Sequence, residues 1–288
     1  MRFFVTALTA TFALAGGLAG KGDLPTSEEF DRAALVAFGR VHGIKPTAQE
    51  AVSSGTLDLL TVFKGSSQPA TGPIRFYGQG IAENQTDLWV LAVDPAGGYQ
   101  QTQPWMRLEP TGWPALPPKY WQAIQKAANY AQGEPVEGLS LRLMILPCHA
   151  GQPLQVWLLA KNESAQDRFL APDTVRFDVA RPDGLSASSR LLTQDRLRIL
   201  TTQPDLPFLP IKAGDTIALK CPGQSSSLIS VYEQTLPGKY VITAQATFSL
   251  PRLLEKSTGS PKSFVATVSS ACVLENQPAT ASAPGNER

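Results

Sequence analysis

The sequence predicts a mainly β protein: a small Greek-key barrel, then a short helix, then a β-sandwich. Three observations carry this. From Leu139 onward apolar residues recur with a period of two in one segment after another, as half-buried strands require. Before that point, short strand-like runs alternate with Gly-rich turns. Gly (23) and Pro (24) are frequent and spread along the chain, which favours many short elements over long helices.

The elements follow in order. "MRFFVTALTATFALAGGLAGKG" places Arg2, an apolar run from Phe3 to Ala15 and then small residues, the order of a secretory leader. Residues 1–19 are expected to be removed, with cleavage after Ala19 or Ala15, leaving a periplasmic or secreted protein that is not an integral membrane protein. Thr26 and Glu29 have capping-box spacing, so a short helix is expected there. Leu35 to Val41 reads as a buried strand, and "TLDLLTVFKG" as a second with Leu57, Leu59, Thr61 and Phe63 on one face. "PIRFYGQG" is a third. "DLWVLAVD" is a fourth, apolar on both faces as in a sheet centre or a closed barrel, and "YQQTQPWMRLEP" returns as a fifth. Five short strands over residues 26–112 fit an OB-like barrel.

Residues 113–135 form a helical linker. Pro117 or Pro118 suits a first helical turn, Tyr120, Ile124 and Ala127/Ala128 share a face, and Gly133 with Pro135 ends the pattern. A stripe this poor in charge is expected to pack on the barrel or between the two halves. Residues 138–275 then give about seven strands at turn spacings that fit an immunoglobulin-like sandwich. Leu139, Leu141, Leu143 and Ile145 point inward on its first strand, and Leu154, Val156, Leu158 and Ala160 on its second. Tyr240 stands where a tyrosine corner belongs. Residues 276–288 have the composition of a disordered tail.

Two stretches resemble known families. "ALVAFGRVHGI", "LDLLTVFKGSSQPATGPIRF" and "DLWVLAV" resemble the netrin-like, OB-type domain of the tissue inhibitors of metalloproteinases and their bacterial relatives, over about Phe30 to Pro110. In the animal inhibitors an N-terminal cysteine chelates the protease zinc. No cysteine precedes Cys148, so that mechanism does not carry over. "VWLLAKNESAQDRFLAPDTVRFDVARPDG", "FLPIKAGDTIALK" and "LPGKYVITAQAT" resemble the immunoglobulin-like fold of the bacterial intracellular proteinase-inhibitor family, over about Leu139 to Leu274. The resemblance implies fold, with Asn162, Gly184 and Tyr240 in structural positions.

Chemistry is sparse. A formal net charge of +1 and the lack of a basic run with aromatics give no case for nucleic acid. There is no HExxH, CxxC, GxSxG, SxxK or P-loop pattern, so no cofactor, metal site or enzyme is expected. Cys148 and His149 are adjacent, which is poor geometry for a nucleophile and its base. Asn84 and Asn162 match the glycosylation sequon but read better as turn residues.

The three cysteines permit one bridge in an oxidising compartment. Cys148 follows the first sandwich strand and Cys221 ends the fifth. If both strands flank the second, Cys148–Cys221 is the favoured pair, with Cys148–Cys272 as the alternative. The expected role is a non-catalytic protein-interaction module contacting an exported or envelope protein, protease inhibition being its most specific version. Trp105, Trp113 and Trp157 are candidate contact residues. The alternatives are a periplasmic glycan or small-ligand binder using Trp89 and Tyr99 on the barrel face, and a hydrolase with an unrecognised site.

Overall fold

A computed structural model describes residues 27–49, 51–77, 81, 83–101, 116–192, 209–219, 228–233, 235–250 and 263–276. The expected leader, the expected cap at Thr26, Trp105, Trp113, Cys221 and residues 277–288 lie outside the described residues.

A one-and-a-half-turn helix, α1 (Ser27–Arg32), leads into a five-stranded closed barrel. Its strands are β1 (Leu35–Pro46), β2 (Val52–Lys64), β3 (Thr71–Tyr77), β4 (Thr86–Val93) and the two-residue β5 (Tyr99–Gln100). The order is β1-β2-β3-β5-β4, closed by antiparallel pairing of β4 with β1, with β3 and β5 parallel. Closure removes the exposed sheet edges that five short strands would otherwise present. The interior holds Leu35, Ala37, Val41, Leu57, Ile74, Phe76, Trp89 and Leu91.

The single face expected for β2 is corrected. Leu59 and Val62 pack against the barrel interior, whereas Leu60 and Phe63 pack outside it. The pairing with β1 slips between Phe38 and Gly39 and again between Val36 and Ala37. Such bulges set two residues against one and turn the following side chains over.

Helix α2 (Pro118–Ala127) starts behind Pro117 and buries Tyr120 and Ile124, with Ala128 at its end. It stops before the expected Gly133 because Ala131–Gln132 pairs with the next strand as β6. The remaining strands are β7 (Leu139–Ile145), β8 (Leu154–Asn162), β9 (Arg168–Ala180), β10 (Ser186–Leu192), β11 (Leu209–Ile211), β12 (Thr216–Ala218), β13 (Leu228–Tyr232), β14 (Gly238–Ser249) and β15 (Ser263–Leu274). They make two antiparallel sheets. One has the order β10-β9-β14-β15, with β11 on β9; the other is β12-β8-β7-β6, with β13 on β8. Their facing rows, among them Leu141, Leu158, Phe177, Ile242 and Val268, share one core.

The β7–β8 sheet is buried on both sides. The inward residues predicted for β7 and β8 lie in the core between the sheets. The alternate row, Met144, Leu146, Trp157 and Leu159, packs in a second layer with Tyr120 and Ile124 of α2 and with Phe30, Phe38 and Leu88 of the barrel half. An apolar seam therefore joins barrel, helix and sheets. This explains why both strands read as nearly continuous apolar runs.

Candidate functional site

The sites expected from sequence are rearranged by burial. Trp89 is a core residue and no ligand face: it is fully buried inside the barrel, its indole donates Nε1–H to the Gly39 carbonyl at 3.1 Å, and it meets Phe76 edge-on. Tyr99 is half-buried against the same interior. Trp157 is likewise corrected from contact residue to packing residue. It is buried in the apolar seam, and its Nε1 has no hydrogen-bond partner among the described residues. Asn162 is fully buried; its amide donates to the carbonyls of Gln166 and Ile211, and its Oδ1 accepts from the Ser164 N–H and hydroxyl. Every polar valence of that side chain is thus spent on the turn, and Asn84 sits at φ 60 in a turn of its own.

The favoured Cys148–Cys221 pairing falls on Cys221, outside the described residues; Cys148 is a free, buried thiol, and so is Cys272. The premise about strand order holds, since β7 and β12 flank β8. The Cys148 side chain turns into the core between the sheets, where Cys272 of β15 also lies. Burial pushes the Cys272 thiol up to about 12, with the neighbouring Cys148 adding to the shift. Burial also raises Cys148, opposed by the guanidinium of Arg40.

Arg40 was not anticipated as a functional or structural residue. It is the outward-facing residue of β1 one step beyond Phe38, and it is only 2% exposed. Its Nε donates to Thr86 Oγ1 at 2.7 Å, and its Nη2 donates across the seam to the Pro153 carbonyl at 3.0 Å. Beside it the Thr86 N–H donates to Gln155 Oε1 at 3.1 Å, so two polar contacts tie barrel to sheet. The signal available in the sequence was one charge inside the apolar run "LVAFGRVHG". Further along the row His42 Nδ1 lies 3.1 Å from Asp58 Oδ2, and Asp58 also accepts from the Thr71 hydroxyl. Among the described residues no three His, Cys, Asp or Glu side chains converge as metal ligands would.

The most distinctive surface is one pole of the two-sheet half. Four chain segments meet there, 147–153, 181–185, 235–238 with Tyr232, and 273–276. The Ala150 N–H donates to the Glu275 carbonyl, the Gly151 N–H to the Thr235 carbonyl, and the Thr235 hydroxyl to the Gln152 carbonyl. Gly238 lies so close to Pro182 that a Cβ would sit 2.6 Å from the proline Cβ, and its φ of +130 is itself a glycine conformation. Arg181 lies over the Tyr232 ring, which packs against Tyr240. Tyr240 is a tyrosine corner in fact: its hydroxyl accepts the Leu236 N–H at 2.8 Å. Tyr240→Phe strands that N–H and is expected to cost about 1–2 kcal/mol in urea unfolding. An unchanged midpoint would show that the bond adds nothing.

On this tied framework three large aliphatic side chains stand out in water: Leu185 (60% exposed), Leu236 (48%) and Val273 (68%). Val273 pairs with Lys239, next to Gly238, and Gly238 packs on Pro182, so the segments carrying the three lie at the same end of the sheets.

No family model matches the chain, and neither does any curated protein.

Proposed function

We propose that the protein is a non-catalytic, exported protein-interaction module whose contact surface is the pole carrying Leu185, Leu236 and Val273. The observation that supports this is that the three exposed aliphatics stand at one end of the two-sheet half, Leu185 and Leu236 beside turns and Val273 near the end of β15, where backbone hydrogen bonds tie Ala150 to Glu275 and Gly151 to Thr235. Single exposed leucines are ordinary on any surface, but a cluster on one face is the usual mark of a contact site. Loops already ordered lose little freedom on binding, which favours affinity. The partner is an exported or envelope protein offering an apolar cleft to the loop tips. Protease inhibition, by loops entering an active-site cleft, is the most specific form of this reading. The second half is read as immunoglobulin-like, a scaffold suited to presenting loops at its ends.

The test is capture from periplasmic extract with the wild-type protein and with a Leu185→Asp, Leu236→Asp, Val273→Asp variant, side by side. All three positions are exposed, so the variant is expected to keep its thermal midpoint and lose the captured partner by tenfold or more. Equal capture by both would remove the pole from the reading. The barrel-ligand alternative is left without its principal aromatic, since Trp89 faces the barrel core.

A further inference from the structure

We infer that Cys148 and Cys272 are a redox pair, able to close a disulfide across the open edge between the two sheets. Three independent ties hold the chain from Leu141 to Ala150 alongside the chain from Thr267 to Glu275. Gly133 donates its N–H to the Leu141 carbonyl and lies against the Thr267 carbonyl, so closely that an added Cβ would sit 2.1 Å from that oxygen. The Ile145 N–H donates to Ala128, and one residue further on the Asn129 carbonyl accepts the Ser270 hydroxyl at 2.5 Å. The Ala150 N–H donates to the Glu275 carbonyl at 2.9 Å. The two tracks therefore run in the same direction in a fixed register, which sets Cys148 beside the end of β15. Cys272 lies on the inward row of β15 with Phe264, Ala266, Val268 and Leu274, and Cys148 enters the same core. Two thiols are thus sequestered together at the base of the pole, close enough that Cys272 feels the charge of Cys148.

The chemistry assigns an order. The guanidinium of Arg40 favours the thiolate of Cys148, whereas Cys272 has no such neighbour and a higher barrier to ionisation. Cys148 attacks a disulfide donor such as glutathione disulfide, forming a mixed disulfide and releasing one glutathione thiol. Cys272 then attacks the Cys148 sulfur and releases the second. The two cysteines lose two protons and two electrons in all, and these reduce one glutathione disulfide to two thiols. The bridge would pin the chain leaving β7 to the last strand of the opposite sheet, and it needs no partner protein at the pole.

Trypsin places the three cysteines on separate peptides, residues 143–161, 221–239 and 263–288, so the pairing can be read directly. The reduced, unfolded protein is folded in a glutathione thiol/disulfide buffer, free thiols are blocked, and the digest is mapped without reductant. The expected result is one linked species joining 143–161 to 263–288, with Cys221 blocked. A link involving Cys221, or three blocked thiols, overturns the inference. As a second reading, Cys221→Ser is expected to keep an oxidation-dependent rise in thermal midpoint of roughly 10 °C. Cys272→Ser is expected to lose it. The reverse pattern also overturns the pair.

Discussion

Trp89→Ala is expected to destabilise the barrel by about 4 kcal/mol, near the top of the range for large-to-small core changes. The indole is fully buried, packs edge-on against Phe76, and satisfies the Gly39 carbonyl from inside a five-stranded barrel. A barrel this small has no neighbouring apolar bulk to collapse into the space. Trp89→Phe keeps the packing and loses the hydrogen bond, with an expected cost of about 1–2 kcal/mol. Urea unfolding of both variants checks the pair. A ligand-contacting Trp89 would behave differently, tolerating alanine with little change in midpoint.

Arg40→Ala carries the second large effect, about 3 kcal/mol. Two hydrogen bonds from a charged donor vanish, and the Pro153 carbonyl and Thr86 hydroxyl lose that partner inside the seam. Against this stands the cost of keeping a guanidinium out of water, which burial shows by holding Arg40 below its usual value. Arg40→Met separates the two: it refills part of the volume and relieves the desolvation, so its loss is expected to be about half as large. Both variants should expose the 147–153 loop to limited proteolysis before the rest of the chain. A loss under about 1 kcal/mol for Arg40→Ala would mean that the seam is held by its apolar layer alone.

What was legible in the sequence was what period and turn chemistry encode. The alternation in "LSLRLMIL" and "PLQVWLLAK" identified the row facing the opposite sheet, and Tyr240 after Pro-Gly marked its corner. Helix α2 was legible from Pro117 and the Tyr120–Ile124–Ala128 face. Three things were not. Bulges between β1 and β2 turned Phe63 away from Leu57, and a two-residue period has no means of announcing a slip. Trp89 and Trp157 read as surface aromatics because a sequence does not show what a strand's second face meets; here it meets a barrel interior in one case and α2 in the other. The role of Arg40 is illegible for a related reason. A lone charge in an apolar strand becomes informative only once the loop that accepts its hydrogen bond, 113 positions away, is folded against it.

The pole proposed as a contact surface is equally hidden in the sequence. Leu185 follows Asp-Gly and Leu236 precedes Pro-Gly, so both look like residues bordering turns. Only the folded chain brings these segments to one end of the sheets, through the hydrogen bonds of Ala150 and Gly151 and the packing of Gly238 on Pro182. A photo-crosslinking amino acid in place of Leu236, compared with one in place of Val93 on the barrel, tests that surface directly in periplasmic extract. Both positions are exposed, 48% and 63%, so they sample solvent comparably. A discrete adduct of one protein partner at position 236, absent at position 93, is the predicted result. Adducts at 93 alone, or none at 236, would contradict it.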